Sequence, residues 1–377
     1  MRVAIAAESF LPQVNGVVNS VLRLAEYISD NGHEGLIIAP SDYSVPKNYA
    51  GLPVKTIPAI PFPWYQDVRV SLTPNFVVER ILSDFAPDVL HAASPFLIGS
   101  AALAAAAHFS IPSVAVYQTD IPSYAKRYRL PLLERPAWAR MRDIHALANL
   151  TLAPSTQAAE QLRAHGLPRV KVWGRGVDTV RFSPDHRDQA LHDSWAPDGE
   201  VVVGYMGRIA AEKQVSDLAV LAGLPGAKLV VVGDGPTMKA VQEDLPEALF
   251  VGKMGGQELA TATASLDVFV HPGELETFGQ AIQEALASGV PVVAPAKGGP
   301  VDLIESGNWG FLYPPGDLAA MREMVAQLVG DEPLRRRFAQ RARDFTVRRT
   351  WPVIMGQLFD HYREAMAMTA GAVPDLR

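Results

Sequence analysis

The 377-residue sequence contains no cysteine. Disulfide bonds, thiolate metal ligands and cysteine nucleophiles are therefore excluded. Its nine histidines lack the spacing of metal ligands, and neither an Asp-x-Asp pair nor a Gly-x-Ser-x-Gly elbow occurs. We therefore expect no built-in metal site, no cofactor and no serine nucleophile of the hydrolase type.

An excess of basic residues is also missing, since the formal net charge is −6. This charge gives no reason to expect nucleic-acid binding. The N-terminal MRVAIAAESF lacks a basic segment followed by a long apolar one, so we expect no signal peptide. The best candidate for a membrane span, 96–117, is Ala-rich and contains Pro112, and we interpret it as a buried helix followed by a strand. These features predict a cytoplasmic protein.

Short apolar runs alternate with helical stretches, for example 18–33, where Asn31-Gly32 is a plausible C-cap. The runs are 3–7, 35–40, 88–94, 113–120, 150–155 and 170–176, and then 201–207, 228–235, 248–252, 266–273, 291–296 and 310–314. Uninterrupted apolar runs are typical of parallel strands covered on both faces. We predict two doubly wound α/β domains, 1–180 and 181–352, that face each other across a cleft, with 181–200 as a polar linker.

One motif follows the first strand of each half. In ESFLPQVNGVVNSV, Gly16 would let a backbone approach an anion at a helix start, although the three glycines of a dinucleotide site are missing. In YMGRIAAEKQVSDL, Arg208 and Lys213 lie across a strand-to-helix turn, where a phosphate-bearing ligand would explain two cations at a helix start. The alternatives are an ordinary loop glycine and a pair of solvated surface charges.

The stretch GELETFGQAIQEALASGVPVVAP places Glu276 before a predicted first helical turn and Glu284 about one turn inside that helix. The turn is predicted to comprise Thr277, Phe278, Gly279 and Gln280. Free backbone N–H groups there can hold phosphate or sugar oxygens, and a carboxylate inside the helix can accept two hydrogen bonds from a ribose diol. A solvated helix face is the alternative, but the rest of AIQEALASG is small or apolar.

Glycine-rich loops give weaker signals. The sequence VGKMGGQEL predicts a loop whose backbone could lie against a flat base, and Lys253 and Met254 are candidate substrate-binding residues in it. The Gly-x-Gly of VVVGDGPT is a weak phosphate signal.

One segment departs from the overall charge balance. Residues 125–142 hold six cations and one anion, interleaved with Tyr124, Tyr128 and Trp138, and the separate loop 60–70 adds further aromatic residues. Basic residues with aromatic neighbours suit an anionic membrane surface. An exposed helix pair is the alternative interpretation.

Four stretches together resemble the retaining family 4 glycosyltransferases, which have the GT-B fold. They are ESFLPQVNGVV, GRIAAEKQV, ETFGQAIQEALASGVPVVAP and GRGVDTVRFSP. The resemblance covers nearly the whole chain, and AESFLPQVNGV and YQTD are most similar to actinobacterial GDP-mannose-dependent α-mannosyltransferases acting on glucuronosyl diacylglycerol. It implies a GDP-mannose donor, a lipid-linked sugar acceptor, a place on the inner face of the cell membrane, and a C-terminal helix, 353–377, that packs back on the first domain.

The resemblance also implies a role for each candidate residue. Glu284 would hold the ribose hydroxyls, and Glu276 the transferred hexose together with the backbone amides of Phe278, Gly279 and Gln280. Arg208 and Lys213 would neutralise the diphosphate, and Gly16 would bring a backbone N–H to it.

Gln118 and Asp120 would bind substrate after the strand that ends in YQTD. Many relatives carry a histidine where this chain has Gln118. Glutamine cannot act as a base, so only a hydrogen bond to the sugar is expected at that position.

Other functions stay open at this stage. Sulfoquinovosyl-type transfer from a UDP-sugar and phosphatidylinositol mannosyl transfer use related sequences. A nucleotide-sugar 2-epimerase shares the expected architecture, and a non-catalytic nucleotide-sugar sensor would need no acceptor. Guanine and uracil are both compatible with the sequence, because base contacts in such folds are largely made by the backbone.

Overall fold

The chain forms two compact units. The computed structural model describes residues 1–13, 15–42, 44–62, 65–71, 74–118 and 134–372. The first unit combines Met1–Gly174 with the segment that begins at Ile354, and the second comprises Arg175–Val353. Each unit contains its own mainly parallel sheet with helices packed on it, so the predicted pair of doubly wound α/β domains is confirmed.

The strands of the first unit are β1 (Arg2–Ala7), β2 (Glu34–Pro40), β3 (Asn48–Tyr49), β4 (Leu52–Ile57), β5 (Ala59–Phe62), β6 (Tyr65–Ser71), β7 (Val89–Ala93), β8 (Ser113–Val116), β9 (Leu150–Ala153) and β10 (Val170–Val172). Eight of them form one sheet in the order β10-β9-β8-β7-β1-β2-β4-β3, and β5 and β6 form a separate antiparallel pair. The sequence analysis missed β3 to β6. Because exposed residues interrupt the apolar ones in β4, it lacks the continuous apolar run that marks a strand buried on both faces.

The helices of the first unit are α1 (Gly16–Asp30), α2 (Asn75–Phe85), α3 (Ile98–His108), α4 (Glu134–Ala146) and α5 (Thr156–Ala164). The Asn15 side chain accepts hydrogen bonds from the first turn of α1, and Asn31 ends the helix as predicted. The run 96–117 forms α3 and β8, as the sequence indicated. Among the described helices, none has the length and apolarity that a membrane crossing requires.

The strands of the second unit are β11 (Val201–Met206), β12 (Ala227–Val232), β13 (Leu249–Gly252), β14 (Val268–Val270), β15 (Val292–Pro295) and β16 (Gly310–Tyr313). They form a parallel sheet in the order β13-β12-β11-β14-β15-β16. The strand order reverses at β11, which lies between β12 and β14. Loops at the carboxyl ends of β11 and β14 therefore meet at the topological switch point, where open α/β sheets bind ligands.

The helices of the second unit are α6 (Gln189–Trp195), α7 (Met238–Asp244), α8 (Gly256–Ala264), α9 (Gln280–Ala287), α10 (Pro300–Leu303), α11 (Leu318–Gly330) and α12 (Glu332–Thr346). The interpretation of 181–200 as a linker was wrong. Trp195 is buried in a hydrophobic core of the second unit, and His192 Nε2 lies 2.8 Å from Asp267 Oδ2. The polar residues of this segment cap and flank α6, so the segment is part of the folded second unit and not a linker.

A last helix, α13 (Trp351–Ala372), belongs to the first unit from Ile354 onward. The buried Tyr362 hydroxyl lies 2.8 Å from His91 Nδ1 in β7. Lys171 Nζ lies 2.6 Å from Glu364 Oε1, and the Trp173 indole donates to the Ile354 carbonyl at 3.0 Å. Two buried hydrogen bonds and one partly exposed ion pair thus hold this helix against the strands and the adjoining residue Trp173 of the N-terminal part of the chain.

Candidate functional site

Two loops meet at the switch point of the second unit. The loop after β11 carries Lys213, and the loop after β14 carries Glu276. Lys213 Nζ lies 2.5 Å from Glu276 Oε2, so these two candidate residues form an ion pair. Only 17% of the Glu276 side chain is exposed. The structure therefore brings together the cation and the first carboxylate that the sequence analysis selected.

Two further donors surround the Glu276 carboxylate. The backbone N–H of Gly279 donates to Oε1 at 3.2 Å, and His271 Nε2 lies 3.4 Å from Oε2. Burial by itself would raise the pKa of Glu276, but the nearby Lys213 charge and the His271 contact outweigh it and hold that pKa well below its ordinary value. Glu276 is consequently an ionised acceptor with partners on both of its oxygens.

A second cation lies near the same carboxylate. Burial lowers the pKa of Arg175 to about 10, and the charge of Glu276 opposes that shift. The Arg175 carbonyl accepts a hydrogen bond from the buried Gln283 side chain in α9 at 3.1 Å. The sequence analysis missed Arg175, although it lies in the GRGVD stretch that carried the family resemblance.

The Lys213 loop is fastened to the Glu276 loop by side-chain and backbone contacts. Gln214 Oε1 accepts the backbone N–H of Glu274 at 2.9 Å. A Cβ on Gly273 would lie 3.1 Å from the Cα of Lys213, so a larger residue would crowd the close approach of the two backbones. The prediction that Lys213 lies at the start of an α-helix was wrong. Short 3-10 segments at Ala211–Lys213 and Val215–Leu221 follow β11 instead.

The loop after β15 supports the Glu276 loop from the other side. The backbone N–H of Gly299 donates to the Glu276 carbonyl at 2.8 Å. A Cβ on Gly298 would overlap that same carbonyl oxygen, and one on Gly299 would overlap the carbonyl of Phe278. The backbone of the Gly-Gly pair in KGGP thus packs directly against the backbone of the loop that carries Glu276.

Arg208 lies on the same β11 loop and is solvent-exposed. Its backbone carbonyl accepts the hydroxyl of the buried Tyr205 at 2.9 Å. The Gly-x-Gly at 233–235 packs beneath this loop, since a Cβ on Gly233 or Gly235 would overlap the carbonyl of Gly207 or Ile209. The glycines that had read as a weak phosphate signal therefore position the Arg208 loop through close backbone packing.

The predicted first turn of α9 is wrong, because the helix begins at Gln280 and not at Thr277. Gly279 precedes it with a φ of 96°, a left-handed conformation that interrupts a helical turn. The Phe278 side chain is buried in the hydrophobic core, so only its backbone could serve a ligand. The Gln280 side chain donates to the Gly176 carbonyl at 3.3 Å.

Glu284 lies in α9, one turn from its start, and is partly buried. Burial raises its pKa to about 7, while Gln280 and Arg181 act in the opposite direction. The Arg181 guanidinium also donates to the Gly256 carbonyl at 2.9 Å, next to the loop that carries Lys253 and Met254. Lys253 is exposed, and Met254 packs against the core that contains Phe278. Arg181 is therefore near both predicted nucleotide-side elements.

Three candidates belong to the first unit. Gly16 is exposed at the first position of α1, and Gln118 is buried just after β8, with 8% of its surface exposed. Asp120 lies outside the described residues. The structure places Gly16 and Gln118 after β1 and β8 of the first sheet, and their predicted substrate contacts stay predictions.

The basic segment 125–142 is described only from residue 134, and the loop 60–70 has no described side chains from 61 onward. Within α4, Arg135, Arg140 and Arg142 are exposed. Trp138 is buried and stacks on His165 at a ring-centroid distance of 3.7 Å, so its predicted membrane contact is wrong. The helix buries its aromatic residue and exposes its cations.

His271 is the second residue that the sequence analysis missed. It directly follows β14, only 2% of it is exposed, and it contacts Glu276. The available signal was its place at the carboxyl end of a strand beside the switch point. Across the described ranges, no group of three or more His, Asp or Glu side chains is arranged to hold a metal ion.

The N-terminal and C-terminal halves of the chain each match a known protein family. Residues 14–181 match a family described as Glycosyltransferase Family 4, and residues 187–345 match one described as Glycosyl transferases group 1.

Individual proteins resemble the chain over nearly its whole length. A GDP-mannose-dependent alpha-mannosyltransferase of Mycobacterium tuberculosis (strain CDC 1551 / Oshkosh) is 47% identical over 96% of this chain and 96% of its own length. One of Mycolicibacterium smegmatis (strain ATCC 700084 / mc(2)155) is 46% identical over 97% and 98%. The structure of sucrose-phosphate synthase (tll1590) from Thermosynechococcus elongatus covers 97% of this chain and 99% of its own at a TM-score of 0.78 and 18% identity, which shows a shared fold.

Gly298→Ala is expected to lower the melting temperature more than Gly316→Ala. The two glycines have φ values of 70° and 81°, and a Cβ in that left-handed region costs about 1–2 kcal/mol at either position. Only at 298 does the Cβ also meet the Glu276 carbonyl, because the space around Gly316 is open. Calorimetry of both variants measures the difference, and equal losses would contradict the close approach of the two loops.

Proposed function

The chain belongs to the family 4 glycosyltransferases, and we propose that it transfers mannose from GDP-mannose to a sugar hydroxyl of a membrane glycolipid, with retention of configuration. The observation that carries the proposal is the largely buried, ionised Glu276 beside Lys213 at the switch point of the second sheet. High identity to GDP-mannose-dependent enzymes over almost the entire chain supports the choice of donor.

The donor is proposed to extend from Glu276 toward Glu284. Glu276 accepts hydrogen bonds from hydroxyls of the mannosyl unit, and Lys213 places its positive charge beside the diphosphate. Arg208 adds a second cation from the same loop. Glu284 holds the ribose diol, and the Lys253–Met254 loop lies against the base. The backbone N–H of Gly16 and the side chains of Gln118 and Asp120 are also proposed to bind substrate.

In the proposed reaction the bond between the anomeric carbon and the diphosphate oxygen breaks as the bond to the acceptor oxygen forms on the same face. Negative charge develops on the departing diphosphate, where Lys213 and Arg208 stabilise it. Donors fixed in place before the reaction stabilise such charge without reorganising. The departing phosphate oxygen takes the proton of the acceptor hydroxyl, so no protein base is required at Gln118.

The acceptor is proposed to be a glycolipid such as glucuronosyl diacylglycerol. The exposed arginines of α4 support contact with an anionic membrane surface, because each cation near such a surface contributes about 1 kcal/mol. The proposed location is therefore the inner face of the cell membrane.

Incubation with GDP-[14C]mannose and a membrane lipid extract is expected to label lipid. A nucleotide-sugar epimerase would change only the nucleotide sugar, and a sensor would change nothing. GDP-glucose and the UDP-sugars, including UDP-sulfoquinovose, supplied in parallel test the donor. Purified glucuronosyl diacylglycerol and phosphatidylinositol, supplied separately, test the acceptor. Absence of labelled lipid with every acceptor would contradict the proposed activity.

Lys213→Ala is expected to lower turnover about 100-fold or more, since one contact to a developing oxyanion contributes about 3–4 kcal/mol. The matched control is Lys171→Ala, which also breaks a lysine–glutamate ion pair but does so beside α13 in the first unit. Turnover of the control should remain near that of the wild type. A Lys213→Ala enzyme that is folded and fully active would remove this residue from the mechanism.

The affinity for GDP-mannose should fall as the pH is lowered from about 8 to about 6. The pKa of Glu284 is raised to about 7, so the carboxyl is ionised above that pH and takes a proton below it. A protonated carboxyl accepts fewer hydrogen bonds from a diol. Glu284→Gln should bind about tenfold more weakly at pH 8, with little change at lower pH.

Isothermal titration calorimetry measures the affinity of the wild type and of the Glu284→Gln variant for GDP-mannose at each pH. GDP-mannose is the right probe because both of its phosphoryl groups are esterified, so its own charge is constant over this range. A wild-type affinity that is independent of pH, or a glutamine variant equal to the wild type at pH 8, would contradict the ribose role of Glu284.

Binding to vesicles tests the membrane contact. The double variant Arg135→Glu, Arg142→Glu should bind vesicles that contain phosphatidylglycerol at least thirtyfold more weakly, because two lost cations account for about 2 kcal/mol. The control is Arg336→Glu, Arg337→Glu, which makes the same change of charge on the exposed face of α12. Co-sedimentation measures binding, and equal effects of the two double variants would show that net charge alone is responsible.

A further inference from the structure

We infer that His271 is a positioning residue that orients the Glu276 carboxylate toward the transferred sugar. The inference rests on the proposed role of Glu276 in holding the hexose. His271 is separated from solvent, follows β14 and lies within reach of one oxygen of that carboxylate.

The sheet fixes where the imidazole points. The backbone N–H of His271 donates to the Val293 carbonyl of β15 at 3.0 Å, so the residue still belongs to the parallel ladder. The rings of Tyr205 and Phe269 lie near it, at centroid distances of 6.2 and 6.4 Å. The ring is thus enclosed by core residues, and its Nε2 edge faces Glu276.

The surroundings of the two ring nitrogens select one tautomer. Nε2 lies 3.4 Å from Glu276 Oε2, whereas the buried Nδ1 has no hydrogen-bond partner among the described residues. A hydrogen on Nε2 donates to the carboxylate. A hydrogen on Nδ1 would bury an unsatisfied donor and turn the Nε2 lone pair toward a negative oxygen. Of the two tautomers, the one with its hydrogen on Nε2 therefore fits these surroundings.

His271 can fix the orientation of the Glu276 carboxylate, whereas Lys213 cannot. The lysine ammonium is a compact charge on a flexible stem and accepts many orientations of its partner. The imidazole N–H is held by the sheet, and the Gly279 N–H approaches the opposite oxygen at 3.2 Å. Together they fix the plane of the carboxylate, so the remaining lone pairs point in one direction for sugar hydroxyls.

The loop between His271 and Glu276 is built to permit this contact. A Cβ on Gly273 would lie 3.1 Å from His271 Cε1 and 3.1 Å from Lys213 Cα. Glycine at this position lets the chain turn between the imidazole and the lysine backbone while both reach the same carboxylate oxygen.

A buried histidine can also be a simple packing residue, and two substitutions separate the roles. His271→Leu keeps an apolar side chain of similar size, whereas His271→Gln keeps an N–H donor at the position of Nε2. If His271 only fills space, the leucine variant should be closer to the wild type than the glutamine variant in both stability and sugar binding. A positioning role makes leucine the more stable variant and glutamine the better sugar binder.

The measured quantity is the ratio of the dissociation constants for GDP and GDP-mannose, obtained by calorimetry, together with kcat and KM. GDP lacks the hexose, so general damage to the site affects both ligands. We expect His271→Leu to weaken GDP-mannose binding about tenfold relative to GDP and to lower kcat/KM by at least as much. We expect His271→Gln to stay within about threefold of the wild type.

The matched control is His192, another buried histidine of the second unit whose Nε2 lies beside a carboxylate, Asp267, at 2.8 Å. His192→Leu and His192→Gln should change the melting temperature and leave the ratio unaltered. If His271→Leu does not fold, His271→Asn replaces it, because its shorter amide cannot reach Glu276.

Equal ratios for the leucine and glutamine variants, in an enzyme that still transfers mannose, would overturn the inference and leave the proposed function standing. A wild-type protein that neither binds GDP-mannose nor transfers mannose would overturn both.

Discussion

A buried carboxylate remains ionised only when cations and hydrogen-bond donors replace the water it has lost. Glu276 meets this condition through Lys213, His271 and the Gly279 amide, which come from the loops after β11 and β14. Removing one partner leaves part of the desolvation cost uncompensated. The geometry of both loops therefore depends on this one group, and the proposed sugar and diphosphate contacts depend on those loops.

Close backbone packing gives the site its rigidity. Glycines at 233, 235, 273, 298 and 299 each stand where a Cβ would collide with, or crowd, a neighbouring loop. Interlocked main chains have few alternative arrangements, so the polar groups they carry are held in place before a ligand arrives. Prearranged donors contribute most to stabilising a developing charge, because they do not need to reorganise. Because glycine has no side chain, these five residues contribute to the site only through the positions of their neighbours.

Strands buried on both faces were readily predicted from the sequence, because they are continuous apolar runs, as in β11, β14 and β15. Strands with one exposed face, such as β4, were not. The expected GT-B fold is confirmed by the comparison with solved structures. The meeting of Lys213 and Glu276 follows from the rule that carboxyl ends of neighbouring parallel strands share one edge. His271 was not predicted because a single histidine forms no motif with a recognisable spacing. The start of α9 was misplaced because the left-handed conformation of Gly279 depends on tertiary contacts that the local sequence does not reveal.

The return of α13 to the first unit makes the second unit an insertion within the first. A ribosome completes Arg175–Val353 before it makes the helix that Tyr362, Glu364 and Ile354 attach to the first sheet. Domains generally fold as units during synthesis. The second unit can therefore mature earlier than the one that precedes it in the chain. A C-terminal deletion that reaches Tyr362 accordingly removes contacts within the first unit and not within the second.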